Sequence, residues 1–245
     1  MTTHWSEGDV CDLFEAYDDL PERVLGYPFV FDALELDRAE NVLDYGCGPG
    51  KVARRVVDRC GARVLAVDRS PRMLEIATSK RAHERIEYRL LDGQGIPGAP
   101  DESIDAAMCC YVFINVPSLD TIRAIAAEVR RVVRPGGRFA VLDTNPDTTG
   151  VQFSTFRSGE PGRRYATGEQ REVVLTTPEG ELVLLDYHWP KEVYVDVLTG
   201  AGFRSVETIE PRLDDALRRG VAEAPERSWD AERERPPFAV FVART

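Results

Sequence analysis

The sequence predicts an α/β fold built on a parallel sheet, and two observations carry that reading. Up to residue 143, short apolar runs of strand length alternate with amphipathic helical patterns, the rhythm of a parallel sheet with right-handed crossovers. The first apolar run leads into "YGCGPGK", with glycines at Gly46, Gly48 and Gly50, so a glycine-rich turn joins the first strand to a helix. Glycine costs conformational entropy, and a turn that carries three of them brings backbone close to something.

The strands read as Asn41–Tyr45, Arg63–Asp68, Ile86–Leu91, Ser103–Met108 and Arg138–Asp143, with helices over Lys51–Arg59, Pro71–Ser79 and Leu119–Val133. Ser70 before Pro71 is an N-cap followed by proline in the first turn. "RPGGR" at Arg134–Arg138 reads as a helix stop and turn. After Asp143 turn formers dominate. "REVVLTTPEGELVLLDYHW" reads as a hairpin around Pro178–Glu181. "PKEVYVDVLTGAGF" reads as a helix with a glycine stop, and "RSVETIEP" and "PPFAVFVART" as closing strands. Between them Arg212–Pro237 is a long connection with some helical character. The closing strands lie beyond residues 144–188, so that stretch is an insertion and residues 1–245 form one domain. Its expected parts are a helical cap (1–38), a core (39–143), the insertion (144–188), and a closing helix and strands (189–245).

Composition narrows the function. The 245 residues are 43% hydrophobic and 30% charged, with a formal net charge of −11, ordinary for a soluble globular protein. Acids interspersed with the basic residues do not make the face that a nucleic-acid backbone requires. No signal-peptide pattern or membrane-span length is seen, and the expected compartment is the cytosol. The five cysteines lack a CxxC pair and read as reduced thiols. His4, His83 and His188 show no metal spacing with them.

The glycine turn discriminates between ligands. A phosphate P-loop fails, because Tyr45 stands at its first glycine and Val52 at its Ser/Thr. The dinucleotide pattern GxGxxG fails, because Lys51 takes the third glycine site. What remains is D-x-G-x-G-x-G from Asp44 to Gly50. The second strand ends at Asp68, about 20 residues beyond the turn, where an acid accepts hydrogen bonds from a ribose diol. Asp92 and Gly93 follow the third strand and suit an exocyclic amine, and Met73 suits an adenine face. Each has a plainer reading, the acids as caps and Met73 as core; together they describe an adenosine site along the carboxyl edge of the sheet.

On "VLDYGCGPG", "VLAVDRSPRMLEIA", "YRLLDGQGIP", "SIDAAMCCYVFINV" and "EVRRVVRPGGRFAVLD", the chain resembles the class I S-adenosylmethionine-dependent methyltransferases. The resemblance implies a Rossmann-like, seven-stranded sheet, mostly parallel, with an antiparallel last strand. It implies helices on both faces and a helical and hairpin cap over the carboxyl edge. It implies S-adenosylmethionine as cofactor, S-adenosylhomocysteine as product and no metal. Gly46, Gly48 and Gly50 would approach the methionine part, Asp68 the ribose and Asp92 the adenine amine. Cys109 and Cys110 would lie near the sulfonium and Tyr17 would close over the cofactor carboxylate. Asp44, Cys47, Arg69, Met73, Gly93 and Gln94 complete the implied cofactor contacts. "AYDDLPERVLGYPFVFDAL" and "DYHWPKEVYVDVLTGAGF" resemble bacterial small-molecule methyltransferases of the toxoflavin-synthase kind.

Methyl transfer from a sulfonium is an in-line displacement whose leaving group is already activated, so positioning and exclusion of water dominate. The expected acceptor is a small molecule, a natural product or heterocyclic metabolite, methylated on N, O or C. Its pocket would come from Tyr27, Phe113, Phe153, Phe156, Tyr187 and Trp189, aromatic residues that pack equally well in a core. His188, in "DYHW", and Tyr111 are the candidate catalytic groups, with a packing or helix-start role as the alternative for His188. A methyltransferase acting on protein or RNA and a non-catalytic cofactor-binding protein remain as alternatives, the former disfavoured by the acidic charge. A nicotinamide dehydrogenase is disfavoured by the missing third glycine. The expected assembly is a monomer or homodimer.

Overall fold

The structure, a computed structural model, describes Trp5, residues 8–91, Gly93, residues 95–220 and residues 228–245. Asp92 and Gln94, named above, lie outside the described residues. The chain begins with α1 (Gly8–Ala16). A helical stretch follows that loosens into a π-helical turn at Glu22–Gly26 before α2 (Tyr27–Ala33). Then come β1 (Asn41–Tyr45), α3 (Lys51–Cys60), β2 (Arg63–Asp68), α4 (Pro71–Arg81) and β3 (Ile86–Leu90). The core continues through β4 (Ile104–Cys110), α5 (Leu119–Val132) and β5 (Val133–Thr144). A small antiparallel sheet follows, of β6 (Phe156–Ser158), β7 (Gln170–Thr177) and β8 (Gly180–Tyr187). The chain closes with α6 (Lys191–Gly200), β9 (Ser205–Ile209), α7 (Leu213–Arg218), α8 (Asp230–Glu234) and β10 (Phe238–Arg244).

The main sheet has seven strands in the order β3-β2-β1-β4-β5-β10-β9. Strands β1 to β5 are parallel, and β10 runs antiparallel to both neighbours. The antiparallel last strand and the flanking helices are therefore as expected. "FAVFVA" of β10 is fully buried, the continuous apolar run of a strand covered on both faces. The order reverses between β1, which pairs with β2 on one side, and β4 on the other. Such a switch point opens a crevice at the carboxyl ends of the strands, and the glycine turn after β1 lies there.

Three local readings are corrected. "RPGGR" ends α5 but is no turn; it belongs to β5. The register shifts from Ile104 opposite Val133 to Ala106 opposite Arg138, so four residues of β5 bulge opposite Asp105. Asp105 secures the bulge by pairing with Arg134 at 2.6 Å and accepting from the backbone N–H of Glu40 and Asn41 at 2.7 and 2.8 Å. Strand β4 extends to Cys110, two residues past the expected end, because "MCC" continues its pairing with β5. Strand β6 reads as loop in sequence; three residues give no periodicity, and it exists through pairing with β7.

Candidate active site

The glycine turn is shaped by positive φ. Gly46, Gly48 and Gly50 have φ of 75°, 51° and 80°, where a Cβ is strained. The N–H groups of Gly46 and Cys47 both donate to the carbonyl of Val67, at 2.8 and 3.0 Å, which ties the turn to the end of β2. The three glycines have different surroundings. A Cβ at Gly46 would overlap the side chain of Val112, and one at Gly50 would come within 2.5 Å of the Tyr88 hydroxyl. At Gly48 it would meet nothing within 4 Å. Gly48 thus borders open space.

Asp68 ends β2 beside that space. Its two carboxylate oxygens accept from the N–H of Gly48 and of Ser70, both at 2.8 Å. Burial raises its pKa and these bonds oppose the rise. Ser70 caps α4 by accepting from Met73 N at 3.1 Å, which seats Met73 beneath the same space. Asp44 is 1% exposed, and burial followed by the Asp68 charge pushes its carboxyl up to about 7. One of its oxygens has no hydrogen-bond partner.

These groups line one end of a continuous cavity of about 580 Å³. Tyr17, Asp44, Gly46, Cys47, Gly48, Asp68, Arg69 and Met73 all border it. Its roof comes from the N-terminal segment. Trp5 donates through its indole N–H to Asn115 at 3.1 Å, and its carbonyl accepts from Ser70 Oγ at 2.5 Å. The far arm is walled mainly by Tyr27, Tyr111, Phe156, Val173, Leu175 and Leu184, with Glu22 and Asp186 also on its lining. Phe238 carries two of these rings, stacked under Phe156 at 5.4 Å and edge-on to Tyr111 at 5.9 Å. Tyr111 adopts φ 59°, uncommon for a bulky residue, and its buried hydroxyl has no partner.

Several expected residues do not border the cavity. Side chains alternate across a strand: Cys109 packs into the opposite face at 0% exposure, and its neighbour Cys110 lines the cavity instead. Phe113 and Trp189 belong to that opposite core, where Trp189 donates to the Phe113 carbonyl at 3.1 Å and Phe113 stacks on Tyr194. Phe153 sits beside Phe156, ring centres 5.2 Å apart, and is shielded from the cavity. On β8 the alternation turns Leu184 and Asp186 inward and Tyr187 away. Gly50 serves the turn and its contact with Tyr88, and Gly93 is exposed.

His188 also lies off the cavity. Its Nδ1 faces the Arg171 guanidinium at 3.3 Å, and burial followed by that cation lowers its pKa. The imidazole is therefore neutral at neutral pH, with Nδ1 an acceptor. Arg171 is 2% exposed and also donates to Thr144 and Thr149 at 2.9 and 2.8 Å. This network braces β7 against the end of β5.

Sequence reasoning missed Glu22. Burial, then the Asp19 charge, pushes its carboxyl up to about 8. Its Oε1 accepts from Tyr17 OH at 3.0 Å, Tyr17 OH pairs with Thr155 at 2.7 Å, and Oε2 has no partner. A glutamate in an N-terminal helix ordinarily reads as exposed. Only the glycine after "ERVL", which interrupts the helical pattern, hints at an irregular turn. A carboxyl raised on folding contributes stability that is fully present below its unfolded value, about 4.3, and is lost as pH rises through about 8. Glu22→Gln without ligand is therefore expected to melt above wild type at pH 9, with the gap closing toward pH 5; equal melting at pH 9 would contradict this.

A family model described as a methyltransferase domain matches residues 42–137. An S-adenosylmethionine-dependent methyltransferase from Mesorhizobium loti superposes with a TM-score of 0.62 at 21% identity, covering 89% of this chain and 96% of that one. N-demethylindolmycin N-methyltransferase from Streptomyces griseus is 42% identical over 191 residues, 76% of this chain and 80% of that protein. The chain belongs to the class I S-adenosylmethionine-dependent methyltransferases. The C-methyltransferase UbiE of ubiquinone and menaquinone biosynthesis from Desulfotalea psychrophila is 35% identical over 178 residues, 69% of this chain and 67% of that protein. The methyltransferase CcbJ of Streptomyces caelestis shares the fold at a TM-score of 0.65 and 19% identity, over 100% of this chain and 98% of that one.

The methyltransferase uses S-adenosyl-L-methionine, and its residues fit that group. Gly48 leaves the space that a Cβ would fill. Asp68 is oriented by two backbone N–H groups, and Asp44 keeps an oxygen free to accept a hydrogen bond. Among the described residues no cluster of three or more His, Cys, Asp or Glu could hold a metal ion, and no helix is long and apolar enough to cross a membrane.

Proposed function

We propose that this enzyme methylates a small, flat, ring-bearing acceptor of natural-product type. The observation that carries the reading is a continuous cavity of about 580 Å³ running from the glycine turn to an arm walled by Tyr27, Tyr111 and Phe156. An arm of this kind suits a planar heterocycle. The likeness to an enzyme named for N-demethylindolmycin supports the same class of acceptor.

In this reading Gly46, Cys47 and Gly48 present backbone to the methionine part and Asp44 accepts from its amino group. Asp68 holds the ribose hydroxyls, Met73 lies against the adenine and Arg69 borders it. Bound S-adenosylmethionine supplies an activated methyl group. The protein aligns the acceptor in line with the C–S bond and excludes water, worth several kcal/mol of barrier. Residues 144–188 form the acceptor cap. His188 acts through Arg171 on the shape of that cap. The acidic chain of net charge −11 acts in the cytoplasm as a monomer or homodimer, which size-exclusion chromatography with light scattering checks.

Calorimetry tests the cofactor end. S-adenosylmethionine and S-adenosylhomocysteine are expected to bind, and Asp68→Ala to weaken both by about 1–3 kcal/mol, the scale of lost charge-assisted hydrogen bonds. Turnover with N-demethylindolmycin and a panel of similar heterocycles tests the acceptor end. A folded Asp68→Ala that binds normally would move the site elsewhere, and heat with a nicotinamide dinucleotide alone would remove the reading.

A further inference from the structure

The charged groups along the acceptor arm are of one sign. Among the described residues, the cationic side chains bordering the cavity are Lys51 and Arg69. Lys51 is committed, donating to the Tyr17 carbonyl at 3.0 Å, and Arg69 follows Asp68 at the cofactor end. Arg171 stands behind Thr144 and outside the lining. The arm itself carries two buried carboxyls, Glu22 and Asp186, at 6% and 3% exposure. Asp19 also borders the cavity, but Arg55 holds both its oxygens at 2.6 and 3.0 Å. An acceptor that brings a carboxylate or a bare carbonyl into this arm finds no uncommitted cation among the described residues. One that brings an N–H donor finds two carboxyls.

Glu22 is the better placed of the two. It lies on the π-helical turn, an irregularity frequent at functional sites. Tyr17 fixes its Oε1, and its Oε2 is buried without a partner. The Tyr111 hydroxyl, also without a partner, comes within 3.6 Å of where a Cβ on Gly26 would stand, at the end of the same turn. A buried, unpaired oxygen on an oriented carboxyl costs stability unless a ligand completes it. We propose that the arm is an amine site, in which Glu22 Oε2 receives the proton of the methyl-accepting nitrogen. The inference rests on the acceptor reading above and names its substrate class.

The step balances. The nitrogen lone pair forms the N–C bond as the C–S bond breaks, and that bond's electrons leave on the sulfur of S-adenosylhomocysteine. An amine that enters as an ammonium first gives one proton to the Glu22 carboxylate, which frees that lone pair; Glu22 returns the proton to solvent once products leave, and the methylated nitrogen departs as an ammonium. The groups facing Glu22 set when it can accept. Asp19 and burial raise its pKa and Lys51 lowers it. Tyr17 donates to it, and Tyr27, Tyr111 and Arg55 also feel its charge. From α7 and β10 the buried residues in the same core are Leu213, Ala216, Phe238, Val240 and Val242, which carry no charge. A carboxyl held at about 8 is mostly protonated at neutral pH and becomes able to accept a proton as the pH rises through 8.

Three probes with one ring system test the site: tryptamine, tryptophol and indole-3-acetate, titrated into full-length protein loaded with S-adenosylhomocysteine. Tryptamine is expected to bind about 10-fold or more tighter than the other two, the scale of a charge-assisted hydrogen bond. Its affinity should rise from pH 7 to pH 9. Glu22→Gln should lose both the preference and the pH dependence while binding S-adenosylhomocysteine as wild type does, and Glu22→Asp should restore part of each. With S-adenosylmethionine, methylation of tryptamine should accelerate through pH 8, and Glu22→Gln should slow it about 10²-fold and flatten the profile. Equal affinity for the three probes, a Glu22→Gln enzyme with the wild-type profile, or bound tryptamine that is never methylated would overturn the proposal. Failure of S-adenosylhomocysteine to bind would instead strike the cofactor reading beneath it.

Discussion

Gly48→Val is expected to abolish cofactor binding at micromolar protein while leaving the fold intact. The space above Gly48 is empty of protein, since a Cβ there meets no atom within 4 Å. The branched side chain would stand in the volume proposed for the methionine part of the cofactor. The φ of 51° adds strain of roughly 1–2 kcal/mol for a residue with a Cβ. Affinity should fall by about 100-fold or more, ~3 kcal/mol, with a modest drop in melting temperature. Gly46→Val makes the contrast. Its Cβ would strike Val112 inside the protein, so the cost should appear mainly in stability. Calorimetry beside thermal melts of the two variants separates the effects. A Gly48→Val protein that binds normally would place the cofactor away from this turn.

Deleting residues 1–17 is expected to leave a folded sheet without turnover. The cut removes Trp5, Phe14 and Tyr17, all on the cavity wall, and opens the cofactor end to water. It also strips Glu22 Oε1 and Thr155 of their shared partner. The cut stops before Asp19, because Asp19 pairs with Arg55 on α3 in a half-buried bidentate bridge, and losing that bridge would disturb the core as well. Circular dichroism should keep the sheet signature, while methyl transfer falls to background. Full activity in the truncated protein would exclude a lid role for this segment.

Much of the fold was legible because local signals and tertiary demands agree. Strands β1 and β2 fall where the apolar runs place them, and Ser70 caps α4 as its position before Pro71 implies. The cofactor end was legible for the same reason: Asp44, Gly48 and Asp68 are punctuation between regular elements. The acceptor arm was harder. Cys109 and Cys110 are adjacent and alike in sequence, and only the pleat decides which faces the cavity. Aromatic content pointed to Trp189 and Phe113, which fill the opposite core. The inward residues of the small sheet, Val173, Leu175 and Leu184, look like any strand interior. Glu22 depends on a turn whose hydrogen bonding no periodicity announces.

That turn has a consequence for how the cap is aimed. A π turn is an α-helix carrying one residue too many. Each residue of an α-helix rotates what precedes it by about 100°. Arg23, on the turn, is exposed and bridges only to Asp18 and Asp19 among the described residues. Loss of one residue there would restore regular winding and swing the preceding segment about a quarter of the way around the axis. Tyr17 and Asp19 would leave Glu22 and Arg55, and Trp5 and Phe14 would shift on the cavity wall, while the glycine turn and the sheet would be untouched. The aim of the N-terminal cap over the cavity is thus tied to a residue count in one helical turn, a setting that a single codon can change without altering the glycine turn or the sheet.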